Sequence, residues 1–266
     1  MIDNPRSPRV RSVAKLAKKD ARAETGLFLL EGPQAVSEAL AFRPELVVEL
    51  FVTPHALEKH TELGRAVRDA GLDPKFVTEH VIDAMSDTVT PQGVVAVCRQ
   101  FPVALKDILA DSPRLIAVLE EVRDPGNAGT IIRAADAAGA DAVVLTGRSV
   151  DLYNPKVVRA TTGSIFHLPV AMAPDLATVL DRLRDVGLTV LAADVKGEDL
   201  LEARRDGTLG TPTAWLFGNE ARGLTDEHLG LADRVITVPV YGHAESMNLA
   251  TAASVCLYES AFAQRS

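Results

Sequence analysis

The second half of the chain is a series of short apolar runs separated by helix-patterned segments, and few folds accommodate that order. "LIAVLEEV" (115–122), "DAVVLTG" (141–147), "IFHLPVA" (165–171), "LTVLAAD" (188–194), "TAWLFG" (213–218) and "RVITVPV" (234–240) each have the length and β-branched content of a buried strand. Helical patterns fill the gaps at 127–139, 154–164 and 174–186, and a last helix is expected over 247–263. Strands that are apolar on both faces and alternate with helices predict a mostly parallel sheet covered on both sides, an α/β fold.

A smaller α/β unit precedes it. "LFLLEG" (27–32) reads as a strand and "PQAVSEALAF" (33–42) as a helix with Pro33 at its start. "LVVELFVT" (46–53) reads as a strand, 54–70 as one helix closed by Gly71, and "KFVT" and "GVVAVCRQ" as two further strands. The expected organisation is a basic N-terminal extension (1–22), a small α/β domain (23–98), a linker carrying a short helix (99–113) and the parallel-sheet domain (114–266).

Composition narrows the function. Hydrophobic residues make up 47% of the 266, but aromatics only 5%, so the core is expected to be built mostly from Ala, Val and Leu. Two cysteines, Cys98 and Cys256, with no CxxC and no His-rich spacing, argue against a zinc site or a disulfide scaffold, and no metal is expected. The chain shows no secretory leader pattern and no run of about 18 apolar residues, so a cytoplasmic protein without a membrane partner is the expectation. The net charge is −8, yet residues 1–24 carry seven cations against three acids. A basic arm on an acidic body suits a segment that meets phosphate; a solvated helix is the alternative.

Ligands of open parallel sheets bind beyond the carboxyl ends of the strands. Three polar loops fall there: "RDPGNAGTIIR" after 115–122, "GNEARG" (218–223) and "VPVYGHAESMNLATAAS" (238–254). Each alone has a plain structural reading as a turn, a glycine-flanked loop or a helix cap that uses Ser246. On its helix Arg133 lies two residues past Ile131, about 200° around and off the apolar stripe of Ile131, Ile132, Ala135 and Ala138. No GxGxxG follows the first strand of either unit and no GxxxxGK[ST] is present, which weakens a dinucleotide or P-loop reading.

In these loops the sequence resembles the TrmH (SpoU) family of SPOUT RNA 2′-O-ribose methyltransferases. An Asn-x-Gly-x-x-x-Arg pattern is matched by Asn127, Gly129 and Arg133. A Gly-x-Glu followed by glycine is matched by Gly218, Glu220 and Gly223, and a hydrophobic-Pro then Ser-x-Asn pattern by Val238, Pro239, Ser246 and Asn248. "FLLEG" and the helix after it resemble the RNA-binding domain that often precedes the catalytic one.

The resemblance implies a C-terminal trefoil-knot domain, S-adenosylmethionine as cofactor and a homodimer. It implies RNA as partner, with 23S ribosomal RNA ahead of transfer RNA, and no DNA. It places Arg133, Asn127, Glu220, Ser246 and Asn248 in catalysis, and Gly218, Val238 and Met247 at the cofactor. A non-catalytic RNA-binding protein retaining the fold is the alternative from another class.

Overall fold

A computed structural model describes all 266 residues. Its contacts divide the chain into two compact units, Met1–Phe101 with Asp151–His167, and Pro102–Val150 with Leu168–Ser266.

The first unit carries a four-stranded sheet of β1 (Leu27–Glu31), β2 (Val47–Val52), β3 (Lys75–Phe76) and β4 (Val94–Arg99), ordered β1-β4-β2-β3. β4 runs antiparallel to both β1 and β2, while β2 and β3 are parallel. The helix Pro33–Phe42 falls where the sequence puts it. The single helix expected over 54–70 is two, Pro54–Lys59 and Thr61–Asp69, broken at His60, whose backbone (φ −111°, ψ 71°) leaves the helical region. The helix Glu79–Met85, unforeseen, buries Val81, Ile82 and Met85.

The N-terminal segment is not a free arm. Ser7 caps the helix Pro8–Ala14, and that helix with the turn after it sends Val10, Val13 and Leu16 into the core beside Leu29, Phe51, Val77 and Val95. Arg22, one of the cations of the basic extension, is only 2% exposed. Its guanidinium donates to the carbonyls of Leu16 (2.8 Å) and Ala17 (2.9 Å) and pairs with Asp151. Asp151 belongs to 151–167, a segment that the sequence pattern assigns to the second domain and the structure groups with the first unit. There the helix Pro155–Thr161 presents Arg159 to Glu31 and Asp87.

The second unit is built on a six-stranded sheet: β5 (Leu115–Glu120), β6 (Ala142–Thr146), β7 (Val170–Ala173), β8 (Thr189–Asp199), β9 (Thr213–Phe217) and β10 (Arg234–Thr237). The order is β10-β8-β9-β5-β6-β7 and every pairing is parallel. β7 is shorter than expected, because Ser164–Phe166 forms a turn of 3₁₀ helix. The short helix of the expected linker, Leu105–Ala110, buries Leu105 and Ile108 in this unit's core with Val118, Val144 and Leu216.

Two features of the sheet create the site. The chain order reverses at the β9–β5 boundary, since β5 leads to β6 and β7 on one side and β9 and β8 lie on the other. Such a switch point opens a crevice beyond the strand ends. The β8–β10 register also jumps, Val235 facing Ala192 and Ile236 facing Glu198, so residues 193–197 leave the ladder. A Cβ on Gly197 would come within 2.6 Å of the Ile236 backbone, so no larger residue fits this crossing without movement.

Candidate active site

The helix Pro125–Ala138 starts where β5 ends. Asp124 caps it by accepting from the Asn127 N–H (2.8 Å), and Pro125 occupies the first turn, where no N–H is needed. Ala128, Ile131, Ile132, Ala135 and Ala138 are buried. Arg133 is exposed, as its place off that stripe predicts.

The loop after β9 fixes this helix start. The Glu220 carboxylate accepts from two consecutive backbone amides, Asp124 (2.9 Å to Oε1) and Arg123 (3.2 Å to Oε2). Asn219 donates from Nδ2 to the Glu121 carbonyl (2.8 Å) while its Oδ1 accepts from the Ala221 and Arg222 amides. One loop thus holds three residues of the other, Glu121, Arg123 and Asp124. Glu220 is a backbone clamp here; Arg222 pairs with Glu121 instead. Gly218 permits the approach, since a Cβ there would meet the Gly223 and Leu224 backbone at 2.6–2.8 Å.

The third loop joins through Asn248. Its Oδ1 caps the last helix, Leu249–Gln264, by accepting from Ala250 (2.9 Å) and Thr251 (3.2 Å), and its Nδ2 donates to Asn127 Oδ1 (3.0 Å). The cap is therefore Asn248, not Ser246. Further along, Tyr258 donates to the Ala137 carbonyl (3.2 Å) and Arg265 to that of Ala138 (2.9 Å), which lays the last helix along Pro125–Ala138.

A cavity of about 340 Å³ lies against the second and third of these loops. Its walls include Ala193, Asp194 and Val195 of the β8 stretch that leaves the ladder with β10, Asn219 to Gly223 after β9, Val238 and Val240 after β10, and Ser246, Met247, Leu249 and Ala252. The volume falls in the range of small-molecule sites, and mostly apolar walls with a few polar edges are what such sites present. Val238, Met247, Ser246 and Glu220 line it; Gly218 lies between the lining residues Phe217 and Asn219; Asn127 and Asn248 sit beside each other at the adjoining helix starts; Arg133 lies less than two helical turns beyond Asn127.

Asp124, Asn219 and Glu121 are structural members that the motif matches passed over. Asp before Pro is a helix-start signal that could have been read. Glu121 has φ +51°, uncommon for a residue with a side chain, and nothing in the local sequence announces it.

The comparisons with known proteins agree with this geometry. Residues 114–258 match the SpoU rRNA Methylase family, and residues 29–104 match the RNA 2′-O ribose methyltransferase substrate-binding family. The chain is 34% identical to the 23S rRNA (guanosine(2553)-2′-O)-methyltransferase RlmP of Bacillus subtilis, covering 97% of both chains. It is 31% identical to the 23S rRNA (uridine(2479)-2′-O)-methyltransferase of Streptomyces viridochromogenes over 92% of this chain and 86% of that one. Among solved structures, an AdoMet-bound rRNA methyltransferase from Sinorhizobium meliloti superposes with a TM-score of 0.83 at 32% identity, covering 97% of this chain and 96% of that one. AviRb of Streptomyces viridochromogenes in complex with AdoMet gives 0.81 at 30% identity, covering 97% and 99%. The three loops that meet at the β9–β5 switch point all lie within residues 114–258, and the chain belongs to the SpoU rRNA methylase family.

Proposed function

We propose that this protein transfers a methyl group from S-adenosylmethionine to a ribose 2′-oxygen of RNA, with 23S ribosomal RNA as substrate. The observation that carries the reading is the Asn248–Asn127 hydrogen bond together with the Glu220 clamp, which assemble all three motif loops beside one cavity. The full-length similarity to 23S rRNA 2′-O-methyltransferases supports the choice of RNA.

The residues present fit the cofactor. Val238, Met247 and Leu249 offer apolar contact, the backbone edges after β9 and β10 offer donors and acceptors, and Gly218 keeps the wall thin where its backbone passes Gly223. When bound, S-adenosylmethionine supplies an electrophilic methyl group on a sulfonium. The work of the chain is then to bring a ribose hydroxyl into line with it, and positioning of this kind can contribute several kcal/mol (roughly 7–11 at best) to lowering a barrier.

Arg133 stabilises the emerging alkoxide and holds the neighbouring phosphate. A guanidinium keeps its proton in proteins, so electrostatic stabilisation suits it better than general base catalysis. Glu220, with both carboxylate oxygens on backbone amides, positions the Asn127–Arg133 helix. Asn127 and Asn248 hold the substrate ribose, and Ser246 orders the loop over the cavity.

The first unit binds the RNA, in line with its match to the substrate-binding family. The homodimer, the knot and a cytoplasmic location belong to the same proposal. The knot rests on the membership of the SpoU family. The dimer is supported by the last helix, which leaves Phe262 exposed and Val255 and Tyr258 only partly covered. No helix is long and apolar enough to cross a membrane.

The test is transfer of labelled methyl from S-adenosylmethionine to transcribed 23S rRNA by the full-length protein. Incorporation that survives protein removal and is lost on ribonuclease treatment supports the reading. Binding of the rRNA with no incorporation would favour the non-catalytic alternative.

A further inference from the structure

Beside the cavity, Glu121 stands at the carboxyl end of β5 with three arginines gathered around it. Arg222 pairs with its Oε2, Arg123 lies 3.5 Å from the same oxygen, and Arg148 lies 3.7 Å from Oε1. The four residues come from the ends of three neighbouring strands: Arg222 after β9, Glu121 and Arg123 after β5, and Arg148 after β6. They therefore share one edge of the sheet, at the switch point.

The arrangement is unusual in three respects. Like charges repel, and a single carboxylate holds three guanidiniums close in a chain whose net charge is −8. The guanidiniums still face solvent, since the arginine side chains are 54%, 87% and 61% exposed for Arg123, Arg148 and Arg222, against 19% for Glu121. And Glu121 is kept at φ +51° by its neighbours: its N–H donates to the Thr146 carbonyl (3.3 Å) and its carbonyl accepts from Asn219 (2.8 Å). Backbone in that region costs energy and persists where surrounding structure enforces it, often at functional sites.

Exposed ion pairs of this kind contribute little to stability, so fold stability does not explain the cluster. Each guanidinium has five N–H groups in a planar fork suited to the two non-bridging oxygens of a phosphodiester. Most of those donors point to water here. Two neighbouring carboxylates are engaged elsewhere: Glu220 accepts from two backbone amides and Asp124 from the Asn127 N–H.

We propose that Arg123, Arg148 and Arg222, spaced by Glu121, form a binding site for the sugar–phosphate backbone of the RNA substrate at the rim of the active site. The proposal rests on the RNA reading of the proposed function and adds where, and by which residues, the strand is held. Because the arginines address phosphate and not bases, they set the path of the strand and contribute no sequence preference.

The test is filter binding of transcribed 23S rRNA to the full-length protein across a potassium chloride series, with methyl incorporation measured in parallel. The Arg123→Gln, Arg148→Gln double variant removes two cations that do not line the cavity. Its rRNA affinity should fall about tenfold or more at low salt, and the slope of log affinity against log salt should flatten by about 0.7–0.9 for each phosphate no longer neutralised. The Arg123→Lys, Arg148→Lys variant should recover most of the slope, a result that loss of fold in the glutamine variant could not produce. A glutamine variant with wild-type affinity and slope overturns the site even if wild-type protein methylates rRNA. Conversely, a flattened slope in a protein that incorporates no methyl would keep this site and remove the catalytic reading.

Discussion

One amide does two jobs at Asn248, and substitutions can separate them. Its Oδ1 caps the last helix while its Nδ2 donates to Asn127. Asn248→Asp keeps the cap oxygen but loses the donor and sets a negative charge against Asn127 Oδ1. It should unfold within a degree or two of wild type yet lose most turnover. Asn248→Ala should lose both, with about 1 kcal/mol of stability gone with the cap; equal turnover in the aspartate variant and wild type would show that the Asn127 link has no role. Arg133→Ala should reduce turnover about a hundredfold or more while leaving cofactor affinity nearly intact, as expected for a group that acts on charge developed only in the transition state. Burial pushes the thiols of Cys98 and Cys256 well above their usual range. Neither should react with a maleimide in the folded protein, and both should react in denaturant; fast labelling of the native protein would contradict their placement.

Among the elements, the N-terminal segment shows what charge counting can and cannot reveal. Arg6, Arg11, Lys15, Lys18 and Lys19 are exposed and remain free to meet phosphate, but Arg22 is built into the interior against Asp151. Arg22→Ala should cost about 3–5 kcal/mol in denaturant unfolding, because it leaves the half-buried Asp151 carboxylate and the inward-facing Leu16 and Ala17 carbonyls without their partner. A loss under about 1 kcal/mol, the range of surface ion pairs, would return Arg22 to the exposed class. The apolar spacing of Val10, Val13 and Leu16 could have indicated a packed face, but a seven-residue helix carries too short a pattern to outweigh the run of cations. The last helix was legible throughout, since Ala250, Ala253, Cys256 and Leu257 recur at helical spacing and are buried. The exposure of Phe262 was not. A homodimer through this helix predicts sedimentation at twice the chain mass at micromolar concentration, and Phe262→Glu should shift it towards monomer; a wild-type monomer under those conditions would contradict the dimer.

For the whole molecule, the parallel sheet could be read from the chain because strands buried on both faces must be apolar along most of their length, and β5, β6 and β9 each carry a single polar residue, at one end. Strand order could not. The register of β8 against β10 jumps beside Gly197, where the two backbones come close, and no local pattern encodes that shift. The motif residues were found in sequence because they cluster in three short loops. Their couplings, Glu220 to the Arg123 and Asp124 amides and Asn248 to Asn127, join positions about a hundred residues apart and emerge only in three dimensions. The assignment of 151–167 to the first unit depends likewise on Arg22–Asp151 and Arg159–Glu31, each a long-range ion pair. The central claim, methylation of a ribose oxygen in 23S rRNA, is tested most directly by partial alkaline hydrolysis of rRNA treated with the protein and S-adenosylmethionine. A 2′-O-methyl group blocks cleavage of its own phosphodiester, so the account predicts one missing band in the ladder, a gap seen with wild-type protein and not with Arg133→Ala. An unbroken ladder from rRNA that has taken up labelled methyl would place the methyl on a base and contradict it.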